Sequence, residues 1–333
     1  MKYICAVVPR EEGETTRLKL SDSGNLRTDV HITSDDKFVY LPLVSEKGTI
    51  YPVKEMELEK IEQSINFKDI LDLPPGLMEL VPNSFDIVGD IFVIKLFPEL
   101  EPYIEAIASA LLETNKNAKV VAIDKGVKGE FRTRDLEIVA GENRTITVQK
   151  EFGLRYEMDL AKVYFSPRLA TERKRIADLA QPGERIIDMF CGVGPFSLLL
   201  SKTGKPSVLY AIDKNPDAIN YLIQNIKTNK LKGVSPMLGD AKERALELPH
   251  PDRIIMNLPH SAIDFLDTAL KIITSGGIIH LYTIQEIDTL DMIKNAIIKL
   301  AESKGRKSKI DNIQELHSYS PTQQMFCFDI SIG

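Results

Sequence analysis

The sequence predicts an α/β protein whose C-terminal half is a doubly wound, mostly parallel sheet. Three observations carry that expectation. From about residue 165, strand-like apolar runs and amphipathic helical segments alternate to the end of the chain. The runs RIIDMF, VLYAID and RIIMN are nearly all apolar, as strands covered on both faces should be. The first of them runs into Gly192 and Gly194, the punctuation of a tight strand-to-helix turn.

The elements follow in order. Residues 1–62 read as a small β-rich domain, with strands at YICAVVP, KFVYLPLV and TIYPV between the turns SDSGN and TSDD. MELEKIEQS is a short helix or a linker, and LDLPPG at 71–76 is a strong break. Residues 63–160 read as an α+β domain. FDIVGDIFVIKL gives strands around Val88-Gly89-Asp90, and EPYIEAIASALLETN spaces Ile104, Ile107, Ala108, Leu111 and Leu112 as one helix face. AKVVAID is a strand. TITVQKEFGLRYEMDLAKVYF is a hairpin around Phe152-Gly153 that continues as strand. In 161–333 the helices are TERKRIADLA, GPFSLLLSKTG, PDAINYLIQNIKTNK, AIDFLDTALKII and DTLDMIKNAIIKLAESKG, with strands between them that include GGIIHLYTI. The final run, MFCFDISI, alternates and suits an antiparallel edge strand.

Composition sets bounds. The 333 residues are 43% hydrophobic, with no run of 18 apolar residues, so no membrane partner or membrane span is expected. The start MKYICAVVPREEGE does not read as a signal peptide. Three widely separated cysteines argue for a reducing compartment and against a disulfide framework or a metal site. A cytoplasmic protein is expected. Net charge is −6, yet 124–175 holds 12 Lys/Arg against 9 Asp/Glu. That local excess suits phosphate contact or an ordinary solvated face.

The turn after the first strand carries chemistry. In DMFCGVGPF, Gly192 and Gly194 let a ligand approach the backbone at the mouth of a helix. The next strand ends at Asp213, 21 residues after Gly192, where an acid can reach a ribose hydroxyl. A nucleoside-containing cofactor follows. A dinucleotide would call for a third glycine where Ser197 stands, and Asp188 adds an acid ahead of the turn. The stretch resembles the D-x-F-x-G-x-G motif of class I S-adenosylmethionine-dependent methyltransferases. That resemblance implies a Rossmann-like sheet, with the turn behind the methionine part of the cofactor and Asp213 on the ribose. Asp240 falls where the family contacts adenine; a helix N-cap is its plainer role.

The fourth strand ends in Asn257-Leu258-Pro259-His260, similar to the N-P-P-aromatic motif with which methyltransferases of this superfamily hold a base. Asn257 can accept from a base N–H, Pro259 fixes the loop, and His260 takes the place of the aromatic ring.

Further motifs narrow the class. F-R-T-R at 131–134, A-G-E-N-R-T at 140–145, K-V-Y-F-S-P-R-L at 162–169, E-R at 172–173, A-I-D-x-N-P at 211–216, M-N-L-P at 256–259 and S-Y-S-P at 318–321 join the glycine turn. Together they closely resemble the archaeal and eukaryotic tRNA (guanine-37) N1-methyltransferases, densely from about 125 onward. The resemblance implies methyl transfer from S-adenosyl-L-methionine to N1 of guanosine 37 in tRNA. Neutral guanine N1 carries a hydrogen, so a base must remove it as the methyl arrives, and charge then develops on O6. Glu172 matches the family's base, Arg132 its O6-stabilising arginine, and Arg134 is the alternative. Tyr164, Arg168, Arg173 and Phe190 match pocket positions, and Asn257 serves both cofactor and catalysis. Read without the resemblance, Glu172 in TERKRI is a surface helix charge, and Arg132 and Arg134 share one face of a strand that solvent or phosphate could cover. The partner implied is tRNA, through its anticodon loop and, for the N-terminal domain, its outer corner; a monomer is expected. Some archaeal members also methylate C7 of 4-demethylwyosine at position 37, and His260 is compatible with that larger ring. The rival readings are a methyltransferase for another RNA base and a non-catalytic RNA-binding module.

Overall fold

In a computed structural model, residues 1–61, 65–131, 133–320 and 322–333 are described. The chain forms two units, 1–70 and 71–333. The segments expected as a middle and a catalytic domain thus share the second unit.

The first unit contains β1 (Lys2–Pro9), α1 (Gly13–Asp22), β2 (Thr33–Ser34), β3 (Phe38–Pro42) and β4 (Val53–Glu57). The strands form an antiparallel sheet in the order β2-β3-β1-β4. Ala6 and Val8 pack with Leu20, Leu41 and Leu43 on one side, while Tyr3 and Cys5 pack with Val30 and Leu58 on the other. Helix α1 was not foreseen, because GETTRLKLSD has too few apolar residues to show a face. Tertiary contacts hold it instead. Leu20 is buried, the Thr16 hydroxyl donates to Tyr51 Oη at 3.2 Å, and the bare Gly13 lies against Val39. MELEKIEQS does not make the helix that was one of its two readings. Met56 and Glu57 finish β4 and Lys60 bridges to Val30; residues 62–64 lie outside the described residues.

The second unit begins with α2 (Pro75–Met78), β5 (Asp86–Val88), β6 (Ile91–Ile94), α3 (Ile104–Thr114), β7 (Val120–Lys128), β8 (Thr133–Gly141), β9 (Ile146–Glu151) and β10 (Leu154–Asp159). Strands β5-β6-β7-β8 form one sheet, and β9 and β10 form the expected hairpin. The hairpin does not continue as strand through LAKVYF. Asp159 ends it by accepting from Ala161 N at 3.0 Å and from the Thr145 hydroxyl at 2.6 Å.

The rest of the unit comprises α4 (Ala170–Leu179), β11 (Arg185–Asp188), α5 (Pro195–Lys202), β12 (Val208–Asp213), α6 (Pro216–Thr228), β13 (Val234–Leu238), α7 (Ala241–Arg244), β14 (Arg253–Met256), α8 (Leu266–Ile272), β15 (Ile278–Gln285), α9 (Leu290–Ser303), β16 (Ser308–Ser318) and β17 (Gln324–Ile332). The seven-stranded sheet has the order β13-β12-β11-β14-β15-β17-β16. Strands β11 to β15 are parallel, and β17 runs antiparallel to both its neighbours. One expectation is corrected here. MFCFDISI is not the edge: β17 lies inside the sheet with nearly every residue buried, and β16 takes the edge. Two register shifts in β16 put half-buried Ile310, Ile313 and Leu316 three apart, which conceals the two-residue period of a strand.

Two asparagines join the hairpin to the sheet layer. Asn225 on α6 and Asn229, which caps its C-terminal end, stand one turn apart and act as a neighbouring strand for β10. The Asn225 side chain accepts from Glu157 N and donates to Glu157 O, and Asn229 does the same for Arg155.

Candidate active site

Three strand ends define the site. Asp188 pairs with Ile255 on β14 and Ala211 on β12, so the turn after β11 lies between the ends of those strands. Met256 pairs with Leu281, which makes Asn257 and Tyr282 the next residues on adjacent strands.

The turn needs both glycines for different reasons. Gly192 and Gly194 adopt φ of +53° and +90°, the left-handed region that a side chain disfavours. Gly194 also sits where a Cβ would be 2.5 Å from Leu222 Cδ1, so its hydrogen lets α5 and α6 approach. Gly192 meets nothing closer than the Tyr164 carbonyl at 3.7 Å. The Gly192 N–H donates to Asp213 Oδ2 at 2.7 Å, and Asn215 N donates to Oδ1 at 2.9 Å. Burial nevertheless pushes the Asp213 carboxyl above its ordinary range. Ser197 is buried and donates to Asp188 Oδ2 at 2.7 Å. Asp188 Oδ1 is buried with no hydrogen-bond partner among the described residues, and burial pushes this carboxyl up to about 7. Acceptors exceed donors here, which fits a ligand bringing hydroxyls and a positive charge. Asp240 does take the capping role, accepting from Lys242 N at 2.9 Å at the start of α7. Phe190 packs edge-to-face on Phe265 at 4.8 Å.

The loop after β14 is pinned by Ile284 N donating to Pro259 O at 3.2 Å. His260 stands edge-on to Tyr319 with ring centroids 5.2 Å apart, so the N-L-P-H and S-Y-S-P stretches meet. Asn257 makes no side-chain hydrogen bond among the described residues.

Glu172 is not a solvated helix charge; only 4% of it is exposed. Arg175, one turn on, donates Nε to Oε2 at 2.7 Å and Nη2 to Oε1 at 2.8 Å. The Tyr282 hydroxyl donates to Oε1 at 2.7 Å. Tyr282 in turn lies 5.7 Å, ring to ring, from Phe196, two residues after Gly194. The glycine turn, the Asn257 strand end and Glu172 are thus linked through one tyrosine.

Behind Glu172 runs a buried chain of charges. Arg175 also donates to Asp329 at 2.6 and 3.1 Å. Asp329 lies 2.6 Å from His280 Nδ1, and His280 Nε2 lies 2.6 Å from Arg253 Nη1. Arg253 pairs with Glu184 at 2.8 Å. Burial holds the His280 ring below its ordinary range, so the neutral imidazole donates to Asp329 and accepts from Arg253. Burial also pushes Asp329 up, but the bonds from His280 and Arg175 outweigh it and leave Asp329 well below the carboxylate range. His280, Cys327 and Asp329 place ligand-type atoms within 4.8 Å of one another. Two neighbouring guanidiniums and a fully used imidazole make this a hydrogen-bonded cluster rather than a cation site.

The arginines divide. Arg134 donates to Asp86 Oδ2 at 2.6 Å and lies 3.6 Å from Asp124; its side chain is buried. Arg168 donates to Asp86 Oδ1 at 2.8 Å and is exposed. Burial pushes the Asp86 carboxyl up, yet these two guanidiniums hold it below its usual range. Arg173 was expected in the pocket lining. Its guanidinium is instead buried, held by Glu151 at 2.7–3.0 Å and the Ser166 carbonyl at 3.2 Å, and stacked 5.1 Å over Phe165. It braces the loop that carries Tyr164, which is half exposed. Arg132 lies outside the described residues.

Sequence reasoning missed Tyr282, Arg175, Asp329, His280 and Asn215. Only Asn215 left a local signal, inside A-I-D-x-N-P: it caps α6 and donates to Lys162 O at 2.8 Å, seating K-V-Y-F-S-P-R-L beside Asp213.

Comparison with known proteins agrees with this architecture. Residues 147–311 match the TRM5/TYW2 methyltransferase domain, 67–145 the TYW2 N-terminal domain and 5–48 the tRNA methyltransferase 5 N-terminal domain. The chain is 42% identical over 331 residues to "tRNA (guanine(37)-N(1))-methyltransferase Trm5b" of Pyrococcus abyssi, covering 98% of each chain. Among solved structures, an aTrm5 complex with tRNALeu aligns at TM-score 0.72 and 35% identity, covering 99% of this chain and 100% of that one. Methanocaldococcus jannaschii TYW2 in complex with AdoMet aligns at 0.58 and 27%, covering 75% and 99%. The chain belongs to the TRM5/TYW2 methyltransferase family.

Proposed function

We propose that this protein transfers a methyl group from S-adenosylmethionine to N1 of guanosine 37 in tRNA. The observation that carries the reading is the buried Glu172 carboxylate, bonded to Tyr282, one strand from the Asn257 amide, which has no side-chain hydrogen bond among the described residues. The relative from P. abyssi bears the name of that reaction, and another family structure was solved with a tRNA.

The residues divide the work. Asp213, Asp188 and the Gly192–Gly194 turn hold the cofactor, Asp213 accepting from ribose hydroxyls and Asp188 Oδ1 from a cationic group. Asp240 keeps lone pairs for adenine beyond its capping bond. The cofactor supplies an electrophilic methyl on a sulfonium. Glu172 takes the N1 proton, and Asn257 orients the base. Arg132 stabilises the charge on O6, since Arg134 is engaged by Asp86 and anchors β8. Pro259 fixes the target loop and His260 with Tyr319 walls it. Arg168 and Tyr164, exposed at its margin, meet the RNA, and Phe190 lines the cofactor side. An unpaired loop base can be turned outward into such a site. The first unit contacts the outer corner of the tRNA.

Labelled methyl transfer to unmodified transcripts with G or A at position 37 tests the reading. Labelling of the G transcript alone is expected; equal labelling of both overturns it. Glu172→Gln should slow transfer by about 10² or more with cofactor binding retained, since an amide cannot take a proton. Transcripts bearing 4-demethylwyosine in the same assay test the C7 activity.

A further inference from the structure

We propose that Asp329 is a positioning residue for the methyl-transfer step, taking over the Arg175 guanidinium when Glu172 receives the guanine N1 proton. The inference rests on Glu172 being the base, as proposed above.

Arg175 sits between two carboxylates and gives two hydrogen bonds to each. A carboxylate paired only with a guanidinium is a poor base, because the ion pair favours its charged form. A second carboxylate on the far side of the same guanidinium offsets that preference. The charges make the point. Glu172, Asp329 and Glu184 are negative; Arg175 and Arg253 are positive. His280 is neutral between Asp329 and Arg253. The cluster therefore carries one negative charge in excess, largely away from water. Accepting one proton makes it neutral, the state that a buried cluster favours.

Among the described residues, the groups that face Glu172 add no competing charge. Glu172 faces Arg175 on its own helix, Tyr282 on β15, and through Arg175 it faces Cys327 and Asp329 on β17. Burial pushes the Tyr282 and Cys327 groups up, so both stay neutral. Arg173, the next residue on α4, is bound to Glu151 on the hairpin. Asn312 on β16 donates to Asp329 at 3.3 Å and fixes it from the sheet edge.

In the step, the N1–H bond breaks and its proton goes to a Glu172 oxygen. The N1 electron pair bonds to the methyl carbon, and the carbon–sulfur bond breaks with its pair returning to sulfur as a thioether. Glu172 is then a neutral acid. Arg175 keeps its two bonds to Asp329, so no buried cation is stranded.

Single-turnover methyl transfer is measured against pH for the full chain and for Asp329→Asn, Asp329→Glu and Glu172→Gln, with cofactor titration as the folding control. Asp329→Asn leaves Glu172 facing Arg175 alone. Its plateau rate should fall roughly tenfold, and the acid side of its profile should move down by about one pH unit. Cofactor affinity should stay within about twofold, and Asp329→Glu should recover a rate within about threefold with the acid side unmoved. A wild-type profile in Asp329→Asn, or a uniform fall at every pH, overturns the role. If Asp329→Asn does not bind cofactor, Asp329→Glu decides: a loss beyond about tenfold with binding intact overturns the proposal as well. A wild-type rate in Glu172→Gln removes the base reading itself, whatever Asp329 does.

Discussion

The Gly192 backbone N–H and the Asp213 carboxylate meet at 2.7 Å, across 21 residues of chain. This bond ties the turn after β11 to the end of β12, and Asn215 N holds the same carboxylate from the other side at 2.9 Å. Asp213→Ala strands both donors. A stability loss of about 1–3 kcal/mol is expected in urea unfolding, with a parallel loss of cofactor affinity by calorimetry. Unchanged stability would mean that the bond does not hold the turn.

The two glycines should fail differently. Gly192→Ala meets only the left-handed backbone penalty, about 1 kcal/mol. Gly194→Ala adds a clash with Leu222 inside the α5–α6 contact, so a larger loss, about 2–4 kcal/mol, is expected. Equal melting-temperature shifts for the two would contradict the packing role of Gly194.

Asp188 gives the protein a pH signature. Its folded value is about 7, against an ordinary 3.8. Between those values the folded protein keeps the proton and the unfolded chain loses it. Unfolding free energy from this group therefore falls as pH rises through that window, and levels off above it. Asp188→Asn keeps an acceptor for the Ser197 hydroxyl and should flatten the slope, leaving the variant relatively more stable near pH 8. Denaturant titrations of both proteins at pH 5 and pH 8 check this; parallel slopes would refute it.

Asn257 and Arg173 separate function from folding. Asn257→Ala removes no side-chain hydrogen bond among the described residues, so stability should hold within about 0.5 kcal/mol while methyl transfer falls about tenfold or more. Arg173→Met leaves Glu151 buried without its cation and should cost about 3–5 kcal/mol. Chemical denaturation and single-turnover rates of the two variants read both effects; a stable, active Arg173→Met would refute the bracing role.

The placement of the residues proposed to hold the cofactor was legible because their spacing is local. A glycine turn, the acid after the next strand and the amide after the fourth each sit at a strand end, and the strand period places them together. The alternation after residue 165 likewise determined the doubly wound sheet. Other features were not local. Helix α1 has no apolar face of its own and forms because Leu20 packs with Ala6, Val8, Leu41 and Leu43 and Thr16 reaches Tyr51, all outside the helix. Strand β16 was hidden by two register shifts, which turned a two-residue period into spacings of three; its pairing along the outer side of β17 puts β17 inside the sheet rather than at the expected edge. Glu172 looked like surface charge because Tyr282 and Asp329, which bury and balance it, lie 110 and 157 residues further along the chain, Asp329 acting through Arg175 across 154 residues. By itself, then, the sequence determined the doubly wound sheet and which residues stand at its strand ends, since those depend on residue type and short spacing. The tertiary structure alone decided which charges are buried together, because that depends on strand order, and strand order sets which distant residues share one low-dielectric space.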